Sequence, residues 1–444
     1  MLSILANTTY RRLLAAQIVA LVGTGLATVA LGLLAYDIAG ANAGAVLGTA
    51  LAIKMIAYIA IGPVVGAFAD RLPRRAFLVA MDLVRAAVAI LLPFVSEIWQ
   101  VYILIFLLQS ASAAFTPTFQ ATIPDILPDE ADYTRALSLS RLAYDLESLL
   151  SPMLAAALLS VIGFHWLFGG TVIGFAASAL LVLSVTLPRS PAKPREGGIY
   201  ARTTRGLRIY LKTPRLRGLL AVNLAAAAAS AMVIVNTVVI VQGIFGFGQS
   251  QVALTLAAYG GGSMLGAIAL PRLLDRVESR TVMLIGAAVL AATLLALGLL
   301  STTITASFWP TLLAGWFMMG MAYAAAITPS GLLLRRSAQP EDRPAIFAAQ
   351  FALSHACWLI AYPLAGQVGA IAGQQTALLL LALLAFCGVI AGLWLWPAND
   401  ASLLPHDHPD LPESHPHRLQ HGNPERDHAH EFMIDDLHVR WPKP

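Results

Sequence analysis

A few ionisable side chains lie within long apolar stretches of this sequence, where water is scarce. Lys54, Glu147 and His355 each fall about 16 Å from the start of such a stretch, at a helical rise of about 1.5 Å per residue. Asp145 and Arg85 lie slightly less deep. Ionisable groups are costly inside a bilayer and commonly mark paths for ions or polar solutes. The chemistry that these residue types suit is the binding and release of protons within a membrane.

These residues belong to a set of twelve apolar stretches, which must position them. Each has about 20 residues or more, enough for a helix to cross a hydrocarbon core of about 30 Å. The predicted spans are Leu13–Tyr36, Ala43–Ala69, Ala76–Val95, Gln100–Ile123, Ala136–Ile162, Trp166–Leu187, Gly218–Ile244, Gln251–Leu273, Thr281–Ser301, Phe308–Leu332, Pro344–Ala370 and Thr376–Trp396.

The lysines and arginines outside the spans follow an alternating pattern. They occur before the first span and after every even-numbered span, whereas the connections after the odd-numbered spans contain none. Short cationic loops remain in the cytoplasm. The pattern therefore predicts a multi-pass protein of the cell membrane (inner or plasma membrane), with both termini cytoplasmic.

The composition excludes several classes of function. Of 444 residues, 58% are hydrophobic and 12% charged, against about 45–50% and 25% in soluble domains. The basic pI of about 9.1 is explained by cations in the cytoplasmic loops, which lie beside the anionic lipids of the inner leaflet. We therefore expect no nucleic-acid binding. Cys357 and Cys387 lie inside spans, which argues against disulfides and thiolate metal sites. The spans and short loops lack catalytic triads and phosphate loops, so we expect no enzyme.

The chain contains an internal duplication. Thr116-Pro117 and Pro152 have counterparts in Thr328-Pro329 and Pro363, each about 210 residues later. Two similar bundles that face each other across a cavity suit alternating access. We predict an all-α membrane protein with twelve transmembrane helices, arranged as two pseudo-symmetric six-helix bundles around a central cavity. The predicted domains are the bundles 1–187 and 218–397, a cytoplasmic linker 188–217 and a His-rich cytoplasmic tail 398–444.

The loop after the second span carries a recognisable motif. Gly66–Arg75 reads GAFADRLPRR, which resembles the major facilitator superfamily signature Gly-x-x-x-Asp-Arg-x-Gly-Arg-Arg/Lys. Pro73 stands where that signature has its second glycine. The following Asp82-x-x-Arg85, together with residues 117–152, resembles the branch with enterobactin-exporter-like and macrolide-efflux-like members. The resemblance extends over all of the chain except the tail.

The resemblance implies a conformational latch that ties cytoplasmic helix ends together. A carboxylate favours the positive N-terminal end of a neighbouring helix, and arginine can form bidentate pairs. The arginines of the loop have a second interpretation: their positive charge keeps the loop in the cytoplasm and so orients the second span. This role is compatible with the latch. The residues assigned to the latch are Asp70, Arg71, Arg74, Arg75, Asp82 and Arg85.

A proton-coupling site is expected in the first half. Arg141 and Asp145, four residues apart, can pair on one helix face, which leaves Glu147 without a local partner. A carboxyl group in a partly dry cavity can exchange protons near neutral pH. Glu147, with Asp145, is therefore a candidate for coupling. The alternatives are a fixed ion pair with Lys54 and a helix face turned away from the cavity. His355 is a weaker candidate, because a lone histidine commonly packs.

Other polar groups suggest a path for a small-molecule substrate. Gln109, Asn223, Asn236 and Gln242, with His355, could face the cavity. The mostly apolar second half favours a hydrophobic or amphipathic substrate. We expect no cofactor, a proton gradient as the energy source, a surrounding lipid bilayer and a monomeric protein.

The tail contains eight of the ten histidines. In an extended chain, residues two apart lie on one side, so each His-x-His pair could bind a divalent transition ion. The alternative is a solvated, disordered tail. The candidate ligands are His406, His408, His415, His417, His428 and His430.

Together these features predict a secondary active transporter, with proton-coupled export of small amphipathic or hydrophobic compounds (drug- or siderophore-like) by alternating access. A facilitator or importer of a small solute is an alternative, since the resemblance alone favours export. A transporter-like sensor with a metal-binding tail is a further alternative.

Overall fold

The structure of the protein is a computed structural model. The structure describes residues 2–68, 73–187, 199–301, 305–339, 342–398, 403–406, 428–435, 437–438 and 441. Nearly all of this consists of helices, and a pair of short strands lies in the tail.

The first half consists of six long helices. The side chains of Asn7 and Asp129, one at the start of the first helix and one at the start of the fifth, accept hydrogen bonds from backbone N–H groups of the first turn, at 3.0 Å each. The helices are α1 (Thr8–Ala39), α2 (Ala43–Phe68), α3 (Arg74–Leu91), α4 (Ile98–Ile126), α5 (Glu130–Leu159) and α6 (His165–Leu183).

The second half repeats this arrangement with local breaks. The Thr328-Pro329 pair separates two helices. Two other helices, which end at Val238 and Pro363, each continue into a short π-helical segment, Val239–Ile244 and Leu364–Val368. The helices are α7 (Ile199–Lys212), α8 (Pro214–Val238), α9 (Gln249–Leu274), α10 (Ser279–Leu300), α11 (Trp309–Ile327), α12 (Ser330–Arg336), α13 (Arg343–Pro363) and α14 (Gly369–Leu395). The strands are β1 (Leu403–His406) and β2 (His428–Glu431).

Twelve of these helices correspond to the predicted spans. Nine stretches of the described residues are long and apolar enough to cross a membrane, and two of them, Thr8–Ile61 and Ala345–Leu395, contain two of these twelve helices each. The remaining helix of that length is α5, for much of which the structure describes the backbone alone. Observed and predicted boundaries differ by several residues. In α14, Gly373 adopts a φ of 86° and kinks the helix close to the predicted start at Thr376.

The helices pair so that all twelve form two bundles that meet in the middle. Within the bundles α1 packs on α6, α2 on α4, α8 on α14 and α9 on α11, while α2 meets α13 and α5 meets α9 between the bundles. We call the side where α1 begins and α14 ends the terminal side, and the opposite one the distal side.

The predicted linker contains a helix that the sequence analysis did not anticipate. α7 lies on α13, where Arg205 makes a bidentate pair with Asp342 at 2.6 and 3.0 Å. The hydroxyl of Tyr210 donates to the side chain of Gln350, and burial raises the pKa of Tyr210 well above its ordinary value of 10. α8 then begins at Pro214, slightly before the predicted boundary.

The contact of α7 with α13 predicts the effect of a single methyl group. A Cβ on Gly206 would fall 2.5 Å from the carbonyl carbon of Ala345, a backbone atom that cannot move aside locally. We expect Gly206→Ala to cost about 1–3 kcal/mol of α7 docking and to accelerate proteolysis within α7, followed by mass spectrometry. Gly331→Ala is the control, because its Cβ would meet nothing within 4 Å. Equal proteolysis of the two variants would contradict the docking.

Candidate functional site between the two halves

The two halves touch on the distal side, where α2 crosses the end of α13 and the π-helical segment Leu364–Val368 that continues it. A Cβ on Gly48 would lie 2.6 Å from the carbonyl oxygen of Tyr362 and 3.2 Å from the Cα of Gly366. A Cβ on Gly366 would collide with the backbone of Gly44. Glycine is required at these positions because the two backbones touch directly.

A few polar groups flank this glycine contact. The amide nitrogen of Asn236 donates to the carbonyl oxygen of Ala365 at 2.9 Å, and its side-chain oxygen faces Gly44. The amide of Gln367 donates to the hydroxyl of Thr49 at 3.3 Å and so joins the halves. Asn236 therefore supports the backbone at the crossing.

Nearer the middle of α2 and α13, an aromatic cluster spans the same interface. The ring of Tyr58 lies 5.1 Å from that of His355 and 5.5 Å from that of Phe351, centre to centre. Nδ1 of His355 lies 2.6 Å from the Phe351 carbonyl oxygen, so Nδ1 is the nitrogen that carries a proton. Nζ of Lys54 lies 5.9 Å from the centre of the Tyr58 ring. We call Lys54, Tyr58, Phe351 and His355 the midplane cluster.

The predicted coupling residues lie on α5, which contacts both α1 and α9. The backbone of α5 is described, but the side chains of Arg141, Asp145 and Glu147 lie outside the described part of the chain. The structure thus places the helix at the interface between the halves.

Asp82 and Arg85 form an ion pair buried within the first half. Asp82 also accepts a hydrogen bond of 2.7 Å from the hydroxyl of Ser178. The Arg85 guanidinium lies 4.4 Å from the centre of the Phe115 ring and 4.5 Å from that of Phe175. These groups of α3, α4 and α6 compensate the charge of Arg85, whose Nε has no hydrogen-bond partner among the described residues.

The other latch residues that the structure describes also bind within the first half. Arg74 pairs with Asp125 at the end of α4, and Arg75 donates to the carbonyl oxygen of Leu183 at the end of α6. Asp70 and Arg71 lie outside the described residues. Arg74 and Arg75 thus join three helix ends on the terminal side.

The remaining polar candidates are dispersed. Gln109 is buried in α4, and its side-chain oxygen has no hydrogen-bond partner among the residues that the structure describes. Asn223 is buried and donates to the Leu219 carbonyl oxygen of its own helix at 2.8 Å. Gln242 is half-buried in a π-helical segment on the distal side. Each of these groups lies on a different element, and none of these elements is α2 or α13, which carry the midplane cluster.

In the tail, the structure describes the backbone at His406, His428 and His430, whereas His408, His415 and His417 lie outside the described residues. Among the side chains that the structure describes, which do not include those of these six histidines, no group of three or more His, Cys, Asp or Glu could hold a metal ion.

Sequence reasoning missed two parts of this interface. Gly44 and Gly48 form a Gly-x-x-x-Gly motif in the second span, a known signal for close helix approach. Tyr58 follows Lys54 by one helical turn, a spacing that could have indicated a shared face. Their partners on α13 are distant in sequence, and only the fold brings them near.

The family model described as "Major Facilitator Superfamily" matches residues 13–303 and 219–422. The chain belongs to the Major Facilitator Superfamily. This superfamily consists of membrane-embedded transporters, and the predicted resemblance of the chain to its macrolide-efflux-like branch is confirmed by the curated relatives.

The curated relatives match a restricted part of this superfamily member. Macrolide efflux protein A of Enterococcus faecalis is 28% identical over 153 residues, 32% of this chain and 47% of that protein. Macrolide efflux protein A of Streptococcus pyogenes is 28% identical over 149 residues, and the uncharacterized MFS-type transporter YfiS of Bacillus subtilis (strain 168) 30% over 131. The matches span at most about half the length of these relatives.

Solved structures confirm the fold. A mutant of the nucleoside transporter NupG aligns over 88% of this chain and 100% of its own, with a TM-score of 0.67 and 15% identity. A bacterial homolog of the human lysosomal transporter Spinster aligns over 87% and 96%, with a TM-score of 0.64 and 12% identity. The predicted all-α fold of two six-helix bundles is therefore correct.

The buried ion pair predicts a large loss of stability for one substitution. Arg85→Leu leaves the Asp82 carboxylate uncompensated, and removal of one partner from a buried pair costs about 3–5 kcal/mol. We expect a clear fall in the thermal midpoint in detergent, measured by tryptophan fluorescence. Arg135→Leu is the control, because its i,i+3 pair with Asp132 is largely exposed and contributes about 0–1 kcal/mol. Similar shifts for both variants would refute this account.

The glycine contact predicts a shift between conformations. Gly48→Ala inserts a methyl group between two backbones, at a cost of about 1–3 kcal/mol to the state in which they touch. We expect faster labelling of a cysteine placed at Thr49 by a membrane-impermeant thiol reagent. Gly261→Ala in α9 is the control, because its Cβ meets nothing within 4 Å. Unchanged labelling in Gly48→Ala would show that the contact does not gate access.

Proposed function

We propose that this protein is a secondary active transporter that exports small amphipathic or hydrophobic compounds by alternating access, with protons as the coupling ion. The observation that carries the proposal is the glycine contact between α2 and α13. It joins the halves by backbone packing without interlocking side chains, so the halves can separate without repacking their cores.

The glycine contact and the midplane cluster, where α2 meets α13, lie from the midplane to the distal side. With both termini in the cytoplasm, as the cationic loops indicate, the distal side is external. Under this orientation the structure is taken as a state closed to the outside. In this proposal the glycine contact and the Gln367–Thr49 hydrogen bond form the external gate, and the halves are the units 1–187 and 218–397.

The midplane cluster supplies a surface for substrate just inside this gate. Tyr58 and Phe351 offer aromatic faces from opposite halves, while Lys54 and His355 add polar groups. Such a combination suits a molecule with an apolar body and a few polar groups. The naming of two relatives as macrolide efflux proteins supports export and a substrate of this kind.

Proton coupling is assigned to Glu147, with Asp145 and Arg141 on the same helix. α5 lies between α1 of its own half and α9 of the other, so a change of charge on α5 acts where the halves meet. Lys54 is the nearest candidate counter-charge by membrane depth. In one state Glu147 is ionised and pairs with Lys54, and in the other state Glu147 carries a proton instead. Proton release is thereby linked to the rocking of the halves.

The loop after α2 is assigned the role of a latch in the opposite state. Arg74 and Arg75 hold the ends of α3, α4 and α6 together within the first half. This fixes the base from which Asp70 and Arg71 would reach the second half when the terminal side closes. Asp82 and Arg85 support that base from within the bundle.

The proposal is tested with Glu147→Gln, which keeps the shape of the side chain and removes its charge. In inside-out vesicles we expect wild-type uptake of a fluorescent macrolide or dye to follow an imposed pH gradient. In Glu147→Gln the pH dependence should disappear while binding persists. Glu278→Gln is the control, since Glu278 lies outside the spans and makes no capping hydrogen bond. Unchanged pH dependence would remove Glu147 from the mechanism, and wild-type flux independent of the gradient would indicate a facilitator.

A further inference from the structure

The tail contains an antiparallel pair of strands whose register brings distant histidines together. β1 pairs with β2 so that His406 stands opposite His428, and Leu404 stands opposite His430. The two strands are separated in the sequence by residues 407–427. Histidines from the two ends of this long connection thus become neighbours in the hairpin.

The register determines which residues share a face. Directly opposed residues of an antiparallel pair lie on the same face, with Cβ atoms about 4.5–5.5 Å apart. Residues two apart in a strand also share a face, so His430 lies on the face of His428 and is a diagonal neighbour of His406, about 7–8 Å away. His406, His428 and His430 therefore form a group of three on one face of the hairpin.

Three imidazoles at these spacings suit a divalent transition-metal ion. Metal–nitrogen distances of about 2.0–2.1 Å place two ligand nitrogens of a tetrahedral ion about 3.4 Å apart, which two opposed histidines can span. Imidazole binds zinc, copper and nickel, whereas magnesium and calcium prefer oxygen ligands. Three nitrogen ligands leave a further position for water or for another group of the tail.

The hairpin is attached at both ends to the terminal side of the second half. Before β1, the carbonyl oxygen of Trp396 accepts hydrogen bonds of 3.0 and 2.8 Å from Arg280, and the Trp396 ring covers Gly218. Directly after β2, Phe432 and Ile434 are 2% exposed and belong to the apolar core of the protein. The hairpin is consequently tethered by packed segments on either side.

The segment after β2 is held by its own polar contacts. Nδ1 of His438 lies 2.9 Å from Asp435, which also accepts the backbone N–H of Leu437 at 2.8 Å. Burial alone would raise the pKa of Asp435, but the hydrogen bonds from His438 and Leu437 outweigh it and lower the pKa to about 2. The guanidinium of Arg215 lies 5.3 Å from the centre of the Trp441 ring.

We propose that His406, His428 and His430 form a site for a divalent transition-metal ion on one face of the β1–β2 hairpin. Bound metal fastens β1 to β2 and thereby fixes the tail against the ends of α8 and α14. The proposal does not depend on the direction of transport or on the identity of the transported compound. It differs from local chelation by His-x-His pairs, because it requires ligands from both strands.

The decisive variant is His406→Ala, which leaves the His428-x-His430 pair intact. The full-length protein, purified with a histidine-free tag and stripped of metal by a chelator, is titrated with Zn²⁺ against a chromophoric competitor. The cross-strand site predicts that His406→Ala and His428→Ala each weaken binding by about tenfold or more. The matched control is the double variant His415→Ala/His417→Ala, which removes a pair of the same spacing and should bind as wild type.

A spectroscopic measurement counts the ligands independently of affinity. With one equivalent of Cu²⁺, electron paramagnetic resonance should indicate three nitrogen ligands in the wild-type protein and two in His406→Ala. Gel filtration confirms that each variant remains folded in detergent. Unchanged Zn²⁺ affinity in His406→Ala, or an equal loss in the His415/His417 control, would overturn the proposal in favour of local or non-specific chelation.

Discussion

Direct backbone contact between α2 and α13 is the interaction on which the arrangement of the two halves depends. Lipid tails are as apolar as the helices, so burial of apolar surface contributes little to helix association inside a membrane. Van der Waals attraction remains, and it weakens steeply with a small gap. Gly44, Gly48 and Gly366 allow an approach that no side chain would permit. Such a contact is strong when closed and is lost completely after a small rotation.

A contact of this kind requires that each half move as a rigid unit. In the first half the Asp82–Arg85 pair, with the hydroxyl of Ser178, ties α3 to α6 through partners that would be costly to expose. In the second half the indole N–H of Trp316 donates to the hydroxyl of Thr237 at 2.8 Å and ties α11 to α8. Because these bonds lie within the halves, a displacement is concentrated at the interface.

The sequence determined the helices and their order, because span length and loop charge are local properties. It could not determine which helix faces meet. The Gly44-x-x-x-Gly48 motif can be recognised in the sequence, but only the fold shows that Gly366 is its partner. The same holds for Tyr58 and His355, and for the register that places His406 opposite His428. The sequence predicts a linker where α7 lies, because the stability of α7 derives from its packing on α13 more than from its own composition.

Both appendages outside the bundles attach to the second half. α7 is fixed to α13 through Arg205 and Asp342, and the Trp441 ring of the tail lies 5.3 Å from the guanidinium of Arg215 at the start of α8. When the halves rotate, these parts travel with the second bundle, and residues 188–198 form the connection to the first. An ion bound to the hairpin would therefore not tether one half to the other. It could alter the cycle only by changing the surface that the second half presents when the terminal side closes.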